Sequence, residues 1–257
     1  MQTPVLLLVP PVINALVTGI FTGMVMRQYL ARRRIYQLYW SIALGMAFVA
    51  TLAYIVMLIV QPTSAGGILF FRVYYILGGA LMPAWLGMGS IALLNRPLLT
   101  RICFSILAFL SLVGMAFTLD ARIDLQKLSQ IAGTPGTGIL APGPWLVTTI
   151  ILNTLGVVAV GGIAVYSGWR MLRRQASTGG MHTGSLLWSN VLILAGALLN
   201  AIAGTLARLL GIQSTFWLIM ALGWSVLFAG VVLASRPRAS IAPAARPATG
   251  TAHPTKV

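Results

Sequence analysis

The residues of this chain that could do chemistry are a few polar side chains within long apolar runs. Amide, phenol and guanidinium groups donate hydrogen bonds, and a guanidinium can bind a carboxylate or a phosphate through two of them at once. Their chemistry is therefore binding, above all of an anion. The candidate ligand-binding residues are Asn14, Tyr54, Arg72, Tyr75, Asn153, Asn200 and Arg208.

The chain lacks the groups that catalysis or ion coupling within an apolar segment would need. Its two acids, Asp120 and Asp124, lie at or beyond the end of the fourth apolar run, and His182 and His253 fall in a connection and in the tail. A general base, a proton relay or an intramembrane metal site requires such side chains within a span. Cys103 is alone, which excludes an intrachain disulfide. We therefore expect no enzyme activity, no metal and no cofactor.

Three asparagines are expected near the middle of a membrane. With a rise of about 1.5 Å per residue, Asn14, Asn153 and Asn200 lie roughly 12–14 Å from the outer ends of their helices. An asparagine in hydrocarbon needs a hydrogen-bond partner. These side chains are thus expected to face the interior, either in interhelical hydrogen bonds or around a polar ligand cavity.

A second polar group lies nearer the outer surface. Helical spacing places Arg72 and Tyr75 on one face of the third run and Asn200 and Arg208 on one face of the sixth, and Tyr54 reaches the same layer. Four further residues complete these two faces: Gly79, Pro83, Gly196 and Gly204. If both arginines face one cavity, they form a pocket for an anionic ligand or a lipid headgroup.

The same residues have structural explanations. Arg72 and Arg208 could extend to the interface or pair with Asp120 or Asp124, and Asp120 is placed to cap a short helix that follows it. Pro83 predicts a kink in the third span. The tryptophans at predicted span ends, which suit an interfacial aromatic belt, are Trp40, Trp145, Trp169 and Trp217.

The elements that position these residues are long apolar helices. Of 257 residues, 58% are hydrophobic and 7% charged, where soluble domains carry roughly 25% charged residues. A spanning helix needs roughly 20 apolar residues, and continuous runs exclude the alternation of a barrel. We predict an all-α polytopic membrane protein with spans at about 5–26, 39–60, 68–94, 102–119, 145–169, 186–210 and 216–234.

The basic residues predict the orientation, because Lys and Arg concentrate in cytoplasmic connections. One side carries Arg27, Arg32, Arg33, Arg34, Arg96, Arg101, Arg170, Arg173, Arg174, Arg236, Arg238, Arg246 and Lys256, and the other carries Arg72, Arg122, Lys127 and Arg208. This predicts an outer N-terminus, a cytoplasmic C-terminus and contact of the arginine clusters with anionic lipids. The membrane domain is predicted to be 1–235, with an outer loop at 120–144 and a disordered tail at 236–257.

Residues about 30–95 resemble the seven-helix N-terminal sensor modules that precede bacterial histidine kinases and related signalling proteins. The resemblance rests on the run Arg32–Arg34, on Trp40, and on the order Arg72, Tyr75, Gly78, Pro83, Trp85. It implies a bacterial sensor in the cell membrane. Since no kinase or cyclase domain follows the seventh span, the output is expected from a separate signalling partner.

The sequence thus favours a sensor-like or receptor-like protein that binds a small ligand or lipid in an outer vestibule. Two alternatives stay open: a small solute transporter with a three-one-three helix arrangement, similar in topology to the SWEET sugar carriers, and an accessory subunit without a ligand. Nucleic-acid binding is not expected, because the basic residues punctuate apolar runs instead of forming a polar surface.

Overall fold

The computed structural model describes residues 7–131, 133–178 and 184–235. Within them the secondary structure is helical apart from an isolated antiparallel bridge between Ile123 and Leu140. The helices are α1 (Val9–Arg32), α2 (Ile35–Ile59), α3 (Ala65–Tyr74), a π-helical segment (Tyr75–Leu81), α4 (Met82–Ala92), α5 (Pro97–Asp120), α6 (Leu125–Ser129), α7 (Pro144–Thr178), α8 (Gly184–Leu209) and α9 (Phe216–Ser235). The predicted disordered tail, 236–257, lies outside the described residues, as do His182 and His253.

Seven of these elements are long and apolar enough to cross a membrane. They are α1, α2, the continuous unit α3–π–α4, α5, α7, α8 and α9. Large apolar side chains stand exposed on their outer faces, as at Leu16, Phe109 and Val158, where a soluble protein would rarely show so large an apolar surface. The predicted all-helical fold, with seven helices of a length and hydropathy that suit a membrane span, is confirmed.

Local sequence explains where the helices begin. Pro10, Pro97 and Pro144 stand in the first turn of α1, α5 and α7, where a missing N–H has no intrahelical partner to lose. Ser64 caps α3 by accepting a hydrogen bond from the Gly67 N–H at 3.0 Å.

Asp124, and not Asp120, caps the short helix α6. Its Oδ1 accepts hydrogen bonds from the backbone N–H groups of Gln126 and Lys127, both at 3.1 Å, and the Lys127 N–H above all holds the pKa of this carboxyl below its usual range. The sequence prediction of an Asp120 cap is wrong because α5 continues through Asp120, and Asp124 is the extended residue that directly precedes the new helix.

The segment between α5 and α7 packs onto the end of the helical bundle. We call residues 121–143 the capping loop; its Leu128, Ile131, Ile139 and Leu140 are buried in the cluster that also contains Trp145 and Trp217. These two tryptophans are 4% and 3% exposed, so their predicted place in a lipid-facing aromatic belt is wrong: other aromatic rings cover them. Trp169, by contrast, is 51% exposed.

Glycines set the closest helix contacts. A Cβ on Gly156 of α7 would overlap the Pro83 carbonyl oxygen, and one on Gly196 of α8 would lie 2.6 Å from the Gly223 carbonyl oxygen of α9. Backbones can approach this closely only where there is no side chain. Consequently α7 is fixed against the third span, and α8 is fixed against α9.

Candidate functional site

A cavity of about 680 Å³ lies beneath the capping loop and is lined by the third span, α7, α8 and α9. Ligand sites in proteins commonly measure about 300–1,000 Å³. Most of its wall is apolar, with side chains such as Met82, Leu86, Met220 and Trp224. Of the seven candidate ligand-binding residues, four line it: Tyr75, Asn153, Asn200 and Arg208.

Arg208 supplies the positive charge of the cavity. It stands in the last turn of α8 and donates a hydrogen bond to the Tyr75 hydroxyl oxygen, and its guanidinium carbon lies 5.9 Å from the centre of the Trp145 ring. Tyr75 in turn packs edge-on against Trp145, with 5.3 Å between ring centres. The aromatic pair thus fixes the guanidinium at the capping-loop end of the cavity.

Neither acid of the chain neutralises Arg208. The salt bridge within the described residues joins Lys127 to Asp124 at 3.6 Å, and Asp120 stands exposed at the end of α5. A half-buried cation without a counter-ion is unfavourable in an apolar setting. An anion bound in the cavity would supply that counter-charge.

Arg72 lies outside the lining of this cavity and has a different set of partners. Its guanidinium donates to the backbone oxygens of Thr118 at 2.9 Å, of Leu119, and of Ala121 at 3.2 Å. These carbonyls end α5, where intrahelical donors are lacking and the helix dipole is negative. Arg72 is therefore compensated by a helix terminus, and the structure does not bring it together with Arg208.

Tyr54 and Asn14 also lie away from the cavity lining. The buried Tyr54 hydroxyl donates to two backbone oxygens of the capping loop, Thr134 at 2.7 Å and Ile131 at 3.2 Å. Asn14 donates through Nδ2 to Thr51 Oγ1 at 2.9 Å, which joins α1 to α2. Both side chains serve packing: one holds the loop, and the other is an interhelical hydrogen bond.

Asn153 combines a structural contact with a place in the cavity. In an α-helix the Gly79 carbonyl would accept from the N–H of residue 83, but that residue is proline. Asn153 Nδ2 on α7 donates to the Gly79 oxygen instead, at 3.0 Å. Its buried Oδ1, like that of Asn200, has no hydrogen-bond partner among the described residues, and the Asn200 Oδ1 lies against Gly223 of α9.

Sequence reasoning missed the lining residues that come from the capping loop and from α9. Pro135 and Thr137 close the cavity at the loop end; Thr137 Oγ1 donates to the Ala207 oxygen at 3.2 Å, and the Tyr74 hydroxyl donates to the Pro135 oxygen at 3.1 Å. Nothing in the spacing of a Gly/Pro-rich loop signals such contacts. The tyrosine pair in the third span, Tyr74 and Tyr75, was the sequence feature that could have indicated a contact with the loop.

Fold and site together define a multi-pass membrane protein with a partly apolar cavity between its helices. Protein-family models, curated proteins and solved structures provide no match to this chain.

Proposed function

We propose that this chain is a membrane-embedded, sensor-like binding protein whose cavity beneath the capping loop takes a small anionic ligand or a lipid. The observation that carries the proposal is the cavity itself, about 680 Å³ in volume, with the Arg208 guanidinium at one end and mainly apolar walls beyond it. A site of this composition suits a molecule with one anionic group and an apolar body.

The site sets a length for its ligand. Arg208 and Asn200 are eight residues apart on α8, which corresponds to about 12 Å along a helix axis. A ligand that contacts both is elongated, with its charge at the capping loop. At the deeper end the cavity is lined by Asn153 and Asn200.

The third span offers a route from ligand binding to a helix movement. Tyr75, Gly78 and Gly79 line the cavity and belong to the π-helical segment Tyr75–Leu81. A π-helical turn holds one more residue than an α-helical turn and often marks a functional site, because its register can change. The resemblance of residues about 30–95 to sensor modules supports the same role.

The charge distribution supports an orientation for this sensor. The end of the bundle away from the capping loop carries exposed arginines, among them Arg33, Arg34, Arg96 and Arg170, which would face the anionic cytoplasmic leaflet of the cell membrane. The capping loop and the cavity beneath it would then lie on the outer side. A signalling partner would meet the arginine-rich end.

The test is equilibrium binding of hexadecanoate to protein reconstituted in phosphatidylcholine nanodiscs, with inorganic phosphate as a second anionic probe. We expect Arg208→Gln to weaken hexadecanoate binding about tenfold or more, since a hydrogen bond to a charged group contributes about 1.5–3 kcal/mol. The matched control is Arg122→Gln, which removes an exposed arginine of the capping loop and should leave the Kd unchanged. If no anionic probe binds in a manner that depends on Arg208, the proposal is wrong.

The same experiment separates binding from transport. A transporter would carry the bound probe across a sealed liposome, whereas the sensor proposal expects saturable binding without net flux. Uptake of hexadecanoate or phosphate that is abolished by Asn200→Ala would contradict the sensor proposal in favour of transport.

A further inference from the structure

The cavity has an opening on one side of the bundle. Among its lining residues, those that stand exposed all belong to α7 or α8: Ile150, Thr154, Val158, Gly204 and Thr205. Lining residues from the third span, the capping loop and α9 are buried or half-buried. The opening therefore lies between α7 and α8, in the part of the surface that faces the membrane.

Packing on the far sides of both helices keeps this gap open. Gly156 holds α7 against the Pro83 backbone of the third span, while Gly196 and Gly230 hold α8 against α9: a Cβ on Gly230 would lie 2.9 Å from the Ile193 backbone nitrogen. At the gap itself, a Cβ on Gly204 would meet nothing within 4 Å. Each helix is thus fixed on its side away from the gap. The gap is local, because α7 and α8 meet elsewhere, where a Cβ on Gly161 would lie 3.7 Å from Leu194 Cδ1.

The direct route from water is covered. The capping loop closes the end of the cavity through Pro135 and Thr137, and its contacts to Tyr54, Tyr74 and Ala207 hold it there. Arg208 lies at the capping-loop end of the opening. The exposed residues that line the rest of the opening are apolar or small, as at Ile150, Val158 and Gly204. A charge at the interface end followed by an apolar channel matches the layout of a lipid.

We propose that the gap between α7 and α8 admits an anionic phospholipid sideways from the leaflet on the capping-loop side. Its phosphate binds Arg208, and one acyl chain lies in the cavity against Met82 and Met220. This inference rests on the proposed function and narrows its ligand to a lipid that comes from the bilayer and not from water.

The test is photolabelling in phosphatidylcholine nanodiscs that contain phosphatidylglycerol with a diazirine in its acyl chain. After irradiation, mass spectrometry identifies labelled residues. We expect label on Met82 or Met220, which line the cavity, and also on exposed residues of α5 such as Phe109, which report general lipid contact. Diacylglycerol with the same chain lacks the phosphate and should label the cavity about tenfold less, because it makes no charge-assisted hydrogen bond to Arg208.

Variants locate the opening. Gly204→Phe should abolish cavity labelling while label on Phe109 persists. The matched control is Gly162→Phe: Gly162 of α7 is also exposed with nothing within 4 Å of a Cβ, but it does not line the cavity, so labelling should match that of the unmodified chain. Thr205→Trp fills the same gap from an exposed position and serves if Gly204→Phe does not fold.

The outcomes distinguish this inference from the proposed function. Cavity labelling that survives both Gly204→Phe and Thr205→Trp would contradict access between α7 and α8, as would a cavity that stays unlabelled in the unmodified chain. In either case, hexadecanoate binding that depends on Arg208 would leave the proposed function standing. Equal cavity labelling by phosphatidylglycerol and diacylglycerol would show that the phosphate does not bind Arg208.

Discussion

At the scale of single residues, Arg72 and Arg208 show how two arginines at one end of a bundle are accommodated in different ways. Arg72 donates to three carbonyls at the end of α5, whereas Arg208 donates to the Tyr75 hydroxyl at the cavity. Carbonyls at a helix C-terminus carry a partial negative charge and have no intrahelical donor. They can therefore accept hydrogen bonds from Arg72 without the loss of a helical hydrogen bond. Arg72 thus stabilises the fold, and Arg208 is the arginine available to a ligand.

Asn153 and Pro83 form a pair that a double-mutant cycle can test. Asn153→Ala removes the donor to the Gly79 oxygen and should lower the free energy of unfolding by about 0.6 kcal/mol, the average for interhelical hydrogen bonds in membranes. Pro83→Ala restores a backbone N–H that can bond to the same oxygen. We therefore expect Asn153→Ala to cost less in the Pro83→Ala background, as measured by reversible unfolding in mixed micelles.

Asn14→Ala is the control for this cycle. Its partner is Thr51, so its effect should add to that of Pro83→Ala without coupling. Strict additivity of Asn153→Ala and Pro83→Ala would show that the Gly79 carbonyl does not link the two residues.

At the scale of elements, the third span and α7 define the site together. The π-helical segment brings Tyr75, Gly78 and Gly79 to the cavity wall, and Pro83 stands two residues after its end. The kink predicted at Pro83 stays a prediction, but the helix that precedes it departs from α-helical hydrogen bonding over Tyr75–Leu81. Across from it, Gly156 allows α7 to touch the Pro83 backbone, and Asn153 lies one turn earlier on the same face of α7.

Two glycines of α7 should respond differently to alanine. Gly156→Ala places a Cβ against the Pro83 carbonyl and should destabilise the protein by about 1–3 kcal/mol, the usual cost of overpacking. Gly162→Ala adds a Cβ where nothing lies within 4 Å, so stability should hold or rise through helix propensity. Thermal unfolding of the two variants in one detergent measures the difference, and equal midpoints would contradict the close contact.

At the scale of the whole molecule, the exposed arginine clusters and the cavity lie at opposite ends of the helical bundle. Exposed arginines of the first, third and fifth connections stand at one end, and the capping loop with Arg208 and the cavity beneath it stands at the other. Positively charged connections stay in the cytoplasm during insertion. The distribution that sets orientation would thus also place the binding site on the outer side.

Orientation can be measured with the single cysteine of the chain removed. In a Cys103→Ser background, cysteines at Arg33 and at Gln126 mark the two ends, because both residues are exposed. A membrane-impermeant maleimide added to intact cells should label Gln126→Cys and spare Arg33→Cys until the cells are opened. The reverse pattern would contradict the proposed orientation.

Sequence alone determined the helical class, the seven apolar segments and the candidate polar residues. In hydrocarbon every backbone polar group must be hydrogen-bonded internally, which restricts spanning segments to helices or closed barrels, and polar side chains within such segments are few. It also selected Tyr75, Asn153, Asn200 and Arg208, which share one cavity. Tertiary structure alone decided that Arg72 bonds the end of α5, that the capping loop is buried, and that α7 and α8 leave a gap. These three features depend on which helices are in contact. Residue spacing predicts which side chains share one face of a helix, but it does not predict which helix packs against that face.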